Sequence, residues 1–179
     1  SYKKVTGFDD CVFILDKNMK IPDSEIFFEE KYENIEIEAI ETIKVEPDFS
    51  TFDDLFVGGP NNLAVTAAKS VVSSPGKRFN PLFIYGGVGL GKTHLINAIG
   101  LALKDTSNVM FISAERFMYQ FIKSIKKNEM VNFKDFFRKA NVFIIDDIQF
   151  IRGKEGLQEE FFHTFNSLFE KSSQIIISS

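Results

Sequence analysis

The sequence predicts an α/β domain in which a parallel sheet carries helices on both faces, and three observations predict it. Four short apolar runs, at residues 82–85, 109–112, 142–145 and 175–177, are bounded by polar or turn-forming residues. Within each run apolar residues do not alternate with polar ones, the pattern of strands buried on both sides. Between the runs lie segments with apolar residues at helical spacing, so strand and helix follow one another along the chain.

Residues 61–72 read as a helix, ended by Pro75-Gly76. The run 82–85 is the first strand, and 93–103 the helix after it. The second strand, 109–112, leads into a helix at 115–125 with Phe117, Phe121, Ile122 and Ile125 on one face. After the third strand, 142–145, the segment 157–170 sets Phe161, Phe162, Phe165, Leu168 and Phe169 at helical spacing. The run 175–177 is the fourth strand. No internal repeat or low-complexity tract interrupts the order.

Residues 1–50 differ in character. They hold 6 lysines against 13 acids, while 51–179 hold 15 basic residues against 12 acids. The formal charge of -4 therefore hides an acidic leader and a mildly basic remainder, a balance that permits contact with nucleic acid without demanding it. Residues 12–15 form a short strand candidate. Ile35, Ile37, Ile40, Ile43 and Val45 are interleaved with acids, and Pro47 closes the stretch. Part of this alternates as a strand would, but the charge density suits a solvated linker, which is the reading adopted. The domain expectation from composition is an acidic linker at 16–50 and a folded domain at 51–179.

The single cysteine, Cys11, forms no internal disulfide and no zinc site unaided, so a reducing cytoplasm is the expected setting. No apolar stretch approaches the roughly 20 residues of a bilayer helix, and nothing at the start reads as a signal peptide. The chain starts at Ser1, which leaves its true N-terminus open.

Gly86-Gly87-Val88-Gly89-Leu90-Gly91-Lys92-Thr93 fits the P-loop pattern G-x-x-x-x-G-K-[ST] without a mismatch. Glycines let the backbone turn so that several N–H groups point into one concavity close to phosphate. The helix opening near Lys92 adds the positive end of its dipole. Lys92 brings a mobile cation to the β- and γ-phosphates of ATP, and the Thr93 hydroxyl is a hard ligand for Mg²⁺. A glycine-rich turn with a chance lysine would not sit between an apolar strand and an apolar helix, as this one does.

Val142-Phe143-Ile144-Ile145-Asp146-Asp147 supplies the complement, a buried strand ending in carboxylates. Asp146 is assigned to the metal and Asp147 to orienting the attacking water. An apolar strand ending in two acids is common at turns, and its meaning here comes from the P-loop. The strand 109–112 lies between the two motifs in sequence, a spacer of the kind required by P-loop proteins with an extra central strand.

Other polar residues carry blander readings. His94 and His163 lie far apart without ligand-type partners and suit packing or surface roles. Lys123, Lys126, Lys127, Lys134, Arg138 and Lys139 form a basic run that suits a solvated face. No Ser/His/Asp arrangement is present. The 21 phenylalanines speak of core packing.

Three stretches resemble the bacterial DnaA family of replication initiators, which are AAA+ ATPases. Thr51-Phe52-Asp53 through Val57-Gly58 and Asn61 resembles the segment that leads into the family's nucleotide pocket, with Gly59-Pro60 a slight departure. Asn80-Pro81 through Leu95 is similar to its Walker A region almost letter for letter. Ile145 to Phe150, then Gly153-Lys154-Glu155 and Gln158 to Asn166, resembles its Walker B and initiator-specific helix. The last stretch discriminates, because other AAA+ proteins share the P-loop and lack that helix. The likeness covers 51–179, and Tyr2 to Leu15 weakly resembles the tail of the family's N-terminal interaction domain, at 1–15.

The resemblance implies a P-loop NTPase fold of the AAA+ type and a nucleotide site of Val57, Gly58, Asn61, Gly87, Gly89, Leu90, Gly91, Lys92, Thr93 and His94. It implies Mg²⁺ at Thr93 and Asp146, with Lys92 and Asp147 catalytic. As partners it implies double- and single-stranded origin DNA, head-to-tail copies of the protein itself, the replicative helicase through an N-terminal domain, and acidic phospholipid. Single-stranded DNA would meet Ile122 and Lys154. Gly156 and Leu157 stand where the family has basic and hydroxyl residues, which weakens the DNA contact and leaves the ATP site untouched. The resemblance sets the fifth strand, arginine finger, sensors, lid and helix-turn-helix beyond Ser179. It therefore implies that 51–179 is an incomplete AAA+ nucleotide-binding domain with its sheet truncated after the fourth strand, and that 1–179 alone hydrolyses ATP negligibly.

Two other functions compete. A helicase loader or regulatory paralogue shares the fold and differs in the origin-reading region. A small-molecule kinase needs a nucleophile subsite and a lid, and neither is visible in the sequence.

Overall fold

Four parallel strands, β1 (Leu82–Ile84), β2 (Val109–Ser113), β3 (Val142–Asp146) and β4 (Gln174–Ser178), stand in the order β1-β4-β3-β2. The computed structural model describes residues 51–179. The expectations for 1–15 and 16–50, including the strand at 12–15, fall outside the described residues. Leu82 stands opposite Ile176, and Val142 stands opposite both Gln174 and Val109. The strand set between β1 and β3 is therefore β4. The run that separates them in sequence, β2, lies on the far side of β3.

Helices cover both faces, as expected. α1 (Asn62–Ser73) and α2 (Lys92–Leu103) lie on one face, α3 (Ala114–Lys126), α4 (Met130–Phe137) and α5 (Glu155–Glu170) on the other. Successive side chains of a strand point to opposite faces, and the cores divide accordingly. Val142, Ile144 and Ile176 join the α1/α2 core, while Phe143, Ile145, Ile175 and Ile177 join the other. Both sets are buried, which is why the runs do not alternate.

The second core is built on phenylalanine. The rings of Phe117, Phe133 and Phe137 meet at 4.8 to 5.3 Å between centroids, and Phe137 reaches Phe143 of β3 at 5.9 Å. Such tilted and edge-on pairs gain from the ring quadrupole beyond the area they bury.

The structure corrects several expectations. α4 has no counterpart among the predicted elements. Its short apolar repeat, Met130, Phe133 and Phe137, follows a charged stretch in which Asn128 (φ 58°) ends α3. That left-handed residue donates its N–H to Ile125 O, and Glu129 N donates to Ser124 O, closing the last turn of α3. The buried face of α3 is also rotated from the one predicted. Phe117 and Ser124 are buried, Phe121 is half-buried, and Ile122 and Ile125 are exposed. In α5 the buried stripe is Leu157, Glu160, Thr164 and Leu168, with Phe162 exposed.

Polar side chains seat β1 against β4. Asn80 Oδ1 accepts from Ile175 N at 2.8 Å, and Asn80 Nδ2 donates to Ser173 O at 2.9 Å. Fully buried Gln174 accepts from Gly76 N at 2.8 Å and donates to Phe79 O at 3.0 Å. The loop before β1 is thus fixed by side-chain amides that use donor and acceptor together, and it sets the position of the glycine-rich loop after β1.

Candidate functional site

The loop after β1 turns through Gly89 (φ 79°) and Gly91 (φ 81°). Backbone in this region is open to glycine at no steric cost. Gly91 is the residue before α2, and no side chain caps that helix end, whose first turn holds no acid. The first N–H groups of α2 and the positive end of its dipole are left to an anion. Lys92 Nζ donates to Gly86 O at 2.7 Å and Gly87 O at 3.0 Å, which sets the cation along the same loop.

At the neighbouring strand ends the polar side chains converge. Thr93 Oγ1 donates to Asp146 Oδ2 at 2.9 Å. Asp146 Oδ1 accepts from Asp147 N at 2.9 Å and also from Ser178 Oγ. Asp146 is buried, and its carboxylate is satisfied by three donors from three parts of the chain. Asp147 follows in the left-handed region, φ 55°, and its Oδ1 accepts from Gln149 Nε2 at 2.9 Å. An alcohol and a carboxylate oxygen side by side, next to a phosphate-sized loop, is the donor set a hard divalent cation takes. The residues present fit Mg²⁺.

Beside the loop opens a cleft of about 250 Å³. Leu55, Phe56, Tyr85, Leu90 and Leu95 line it with apolar surface, and Lys92 is its one cationic lining residue. Gly58, Asn61, Leu90, Gly91 and Lys92 of the expected set line it directly. Asn61 does so while holding the lead-in turn, accepting from Gly58 N and donating to Phe56 O, both at 2.8 Å. Gly87, Gly89 and Thr93 belong to the adjoining loop and first turn of α2.

Val57 and His94 stand outside this lining. Val57 is exposed, and His94 Nε2 lies 3.0 Å from Thr51 O, tying α2 to the lead-in segment. There Asp54 accepts from Thr51 Oγ1 and from Thr51 N, which together with the nearby His94 lowers its pKa below the usual carboxylate value. Sequence reasoning missed Ser178 and Gln149, as well as the apolar lining from Leu55, Phe56, Tyr85 and Leu95. Ser178 lies far from Asp146 in sequence, Gln149 reaches Asp147 only through the turn it sits in, and the apolar lining carries no chemistry that a spacing pattern registers.

The DNA-contact positions sit on neighbouring elements. Ile122 is exposed on α3, which packs against the 3-10 turn Ile148–Ile151, and Lys154 follows that turn with its Nζ donating to Phe150 O. The basic run is partly paired within the domain. Lys134 meets the buried Glu160 at 3.1 Å, and Arg138 meets Asp135 at 4.0 Å. His163 lies 3.9 Å from Glu159 on the surface. Among the described residues no cluster of three His, Cys, Asp or Glu side chains could hold a metal, and no helix is long and apolar enough to cross a membrane.

Residues 46–179 match the family described as the bacterial DnaA ATPase domain. The chain belongs to that family, one of AAA+ ATPases. The family match begins five residues before Thr51. DnaA of Rickettsia massiliae, a chromosomal replication initiator, is 53% identical over 133 residues, covering 72% of this chain and 29% of that protein. The chain thus spans under a third of such relatives. AMPPCP-bound DnaA from Aquifex aeolicus superposes with a TM-score of 0.73 at 37% identity, over 76% of this chain and 42% of that one. A DnaA bound to AMPPCP and single-stranded DNA superposes equally well, at 37% identity, covering 76% of this chain and 43% of the other. The DnaC helicase loader shares the fold alone, with a TM-score of 0.62 at 17% identity over 73% of this chain and 76% of the loader.

Proposed function

We propose that this chain is the ATP-binding and ATP-hydrolysing part of a cytoplasmic initiator of chromosomal replication. The observation that carries the reading is the Thr93–Asp146 contact at 2.9 Å, set beside the glycine-rich loop and the uncapped start of α2. In this reading the loop N–H groups and the start of α2 hold the phosphates, while the cleft between Leu55, Tyr85 and Leu95 takes the base. Lys92 Nζ exchanges two loop carbonyls for oxygens of the β- and γ-phosphates, a charge-assisted interaction stronger than the one it replaces. Thr93 and Asp146 would hold Mg²⁺, which when bound neutralises charge on the phosphate oxygens. Asp147 orients the water that attacks the γ-phosphorus.

Identity of 53% to an initiator, against 17% to a loader, favours the initiator reading. So does the run Gln158 to Asn166, on which the initiator resemblance rests. The ATP-bound form assembles head to tail on origin DNA, and Ile122 and Lys154 face the single strand as it opens. A DnaA that holds single-stranded DNA and AMPPCP together supports this.

The test is made in the cell. A chromosomal Lys92→Ala allele of the full gene should lower the ratio of origin to terminus DNA towards one, because new rounds no longer start. An unchanged ratio contradicts the initiator reading. A lowered ratio with origin DNA still opened, and failure only in helicase delivery, transfers the chain to the loader class.

A further inference from the structure

The two adjacent carboxylates at the end of β3 are held in different ways. Asp146 is buried, and its donors are the Thr93 and Ser178 hydroxyls and the Asp147 N–H. Asp147 has left the strand. Its left-handed backbone, φ 55°, is uncommon for a residue other than glycine. It starts the 3-10 turn, whose second residue is Gln149. That turn brings the Gln149 amide back to Asp147, and Nε2 donates to Asp147 Oδ1 at 2.9 Å.

The other end of the same amide is also engaged. Gln149 Oε1 accepts from Ser179 Oγ at 3.2 Å. An amide with donor and acceptor both matched has its orientation defined, since the flipped form would set oxygen against carboxylate. Ser178, the neighbour of Ser179, donates to Asp146 Oδ1 and accepts from Asp147 N at 3.2 Å. Two successive serines where β4 ends therefore reach two successive carboxylates, one directly and one through Gln149. Gln149 is exposed, so core packing gives no reason for this side chain.

We infer that Gln149 is a positioning residue that holds the Asp147 carboxylate in its water-directing orientation and ties it to the end of β4. The inference rests on the role given to Asp147 above. A carboxylate on a short side chain has two torsions to lose, and an amide fixed at both ends removes that freedom before substrate arrives. Gln149 Nε2 is bonded to Asp147 Oδ1, so in this reading its loss acts on turnover through Asp147.

The experiment uses the full-length protein and its variants Gln149→Ala, Gln149→Glu, Asp147→Asn and Gln149→Ala/Asp147→Asn. For each, ATP affinity is measured by equilibrium titration, and KM and kcat by steady-state hydrolysis. Gln149→Ala should lower kcat about tenfold, the scale of a misplaced catalytic group, with KM and Kd within about twofold of wild type. Gln149→Glu keeps the size and loses the donor, and should be at least as slow. The double variant should be no slower than Asp147→Asn alone, because both changes remove one function. Wild-type or faster turnover in Gln149→Ala, a Kd that rises in step with the lost kcat, or losses that multiply in the double variant would each overturn the inference. If Asp147→Asn itself turns over normally, the role of Asp147 fails and this inference falls with it. If Asp147→Asn is slow while Gln149→Ala is normal, only the inference fails.

Discussion

The Thr93 hydroxyl donates to Asp146 Oδ2 across 2.9 Å, joining the first turn of α2 to the end of β3 although 53 residues separate them. The strand that leads into α2, β1, is not a sheet neighbour of β3, for β4 stands between them and its Ser178 reaches the other oxygen of the same carboxylate. Thr93→Ala should therefore remove the metal-dependent part of nucleotide affinity and spare the rest, while Thr93→Ser keeps both. Titration of ATP with and without Mg²⁺ checks this, and a Thr93→Ala protein that still gains affinity from the metal contradicts it.

Asp146 and Asp147 should separate in their effects. Asp147→Asn leaves ATP affinity near wild type and slows hydrolysis roughly a hundredfold or more, the range for a lost base-type group. Asp146→Asn, by contrast, should lose metal-supported binding. Titration and single-turnover hydrolysis of the two variants decide it, and an Asp147→Asn protein that binds as poorly as Asp146→Asn would show the roles reversed.

Phe133 lies fully buried among the rings of Phe117, Phe121 and Phe137. Phe133→Ala should cost about 3–5 kcal/mol in unfolding free energy, read from urea denaturation followed by circular dichroism. A loss under about 1 kcal/mol would show that α4 does not belong to the core.

Gly76 and Gly153 share φ near 74° and differ in what surrounds them. A Cβ on Gly76 would lie 2.2 Å from Ser172 O, whereas one on Gly153 meets nothing within 4 Å. Gly153→Ala should cost about 1 kcal/mol, from backbone strain alone, and Gly76→Ala about 3 kcal/mol. Equal thermal shifts for the two variants would show that the Gly76–Ser172 approach is not a constraint.

The parts of the site legible in the sequence are the local ones. Glycines, Lys92 and Thr93 sit within eight consecutive residues between a strand and a helix, and Asp146-Asp147 end a buried strand. Each motif names its own neighbours. Ser178 was hidden because its partner is set by sheet order, and no pattern of spacing reveals that β4 enters between β1 and β3. Gln149 was hidden because its contact with Asp147 depends on the 3-10 turn after β3, which no periodicity signals. The rotation of α3 was misread for a different reason. Ile122 and Ile125 are apolar and exposed, while Gln120 and Ser124 are polar and buried, so counting apolar positions finds the wrong face. α4 escaped notice because its apolar repeat is only eight residues long and follows a lysine-rich break.

The central claim is that the loop from Gly86 to Thr93 binds ATP through Lys92. The direct measurement is equilibrium titration of ATP-Mg²⁺ into the full-length protein, wild type against Lys92→Ala, with circular dichroism confirming that both are folded. Loss of a charge-assisted interaction predicts affinity weaker by roughly ten- to a hundredfold in the variant. Equal affinity in two folded proteins would contradict the account.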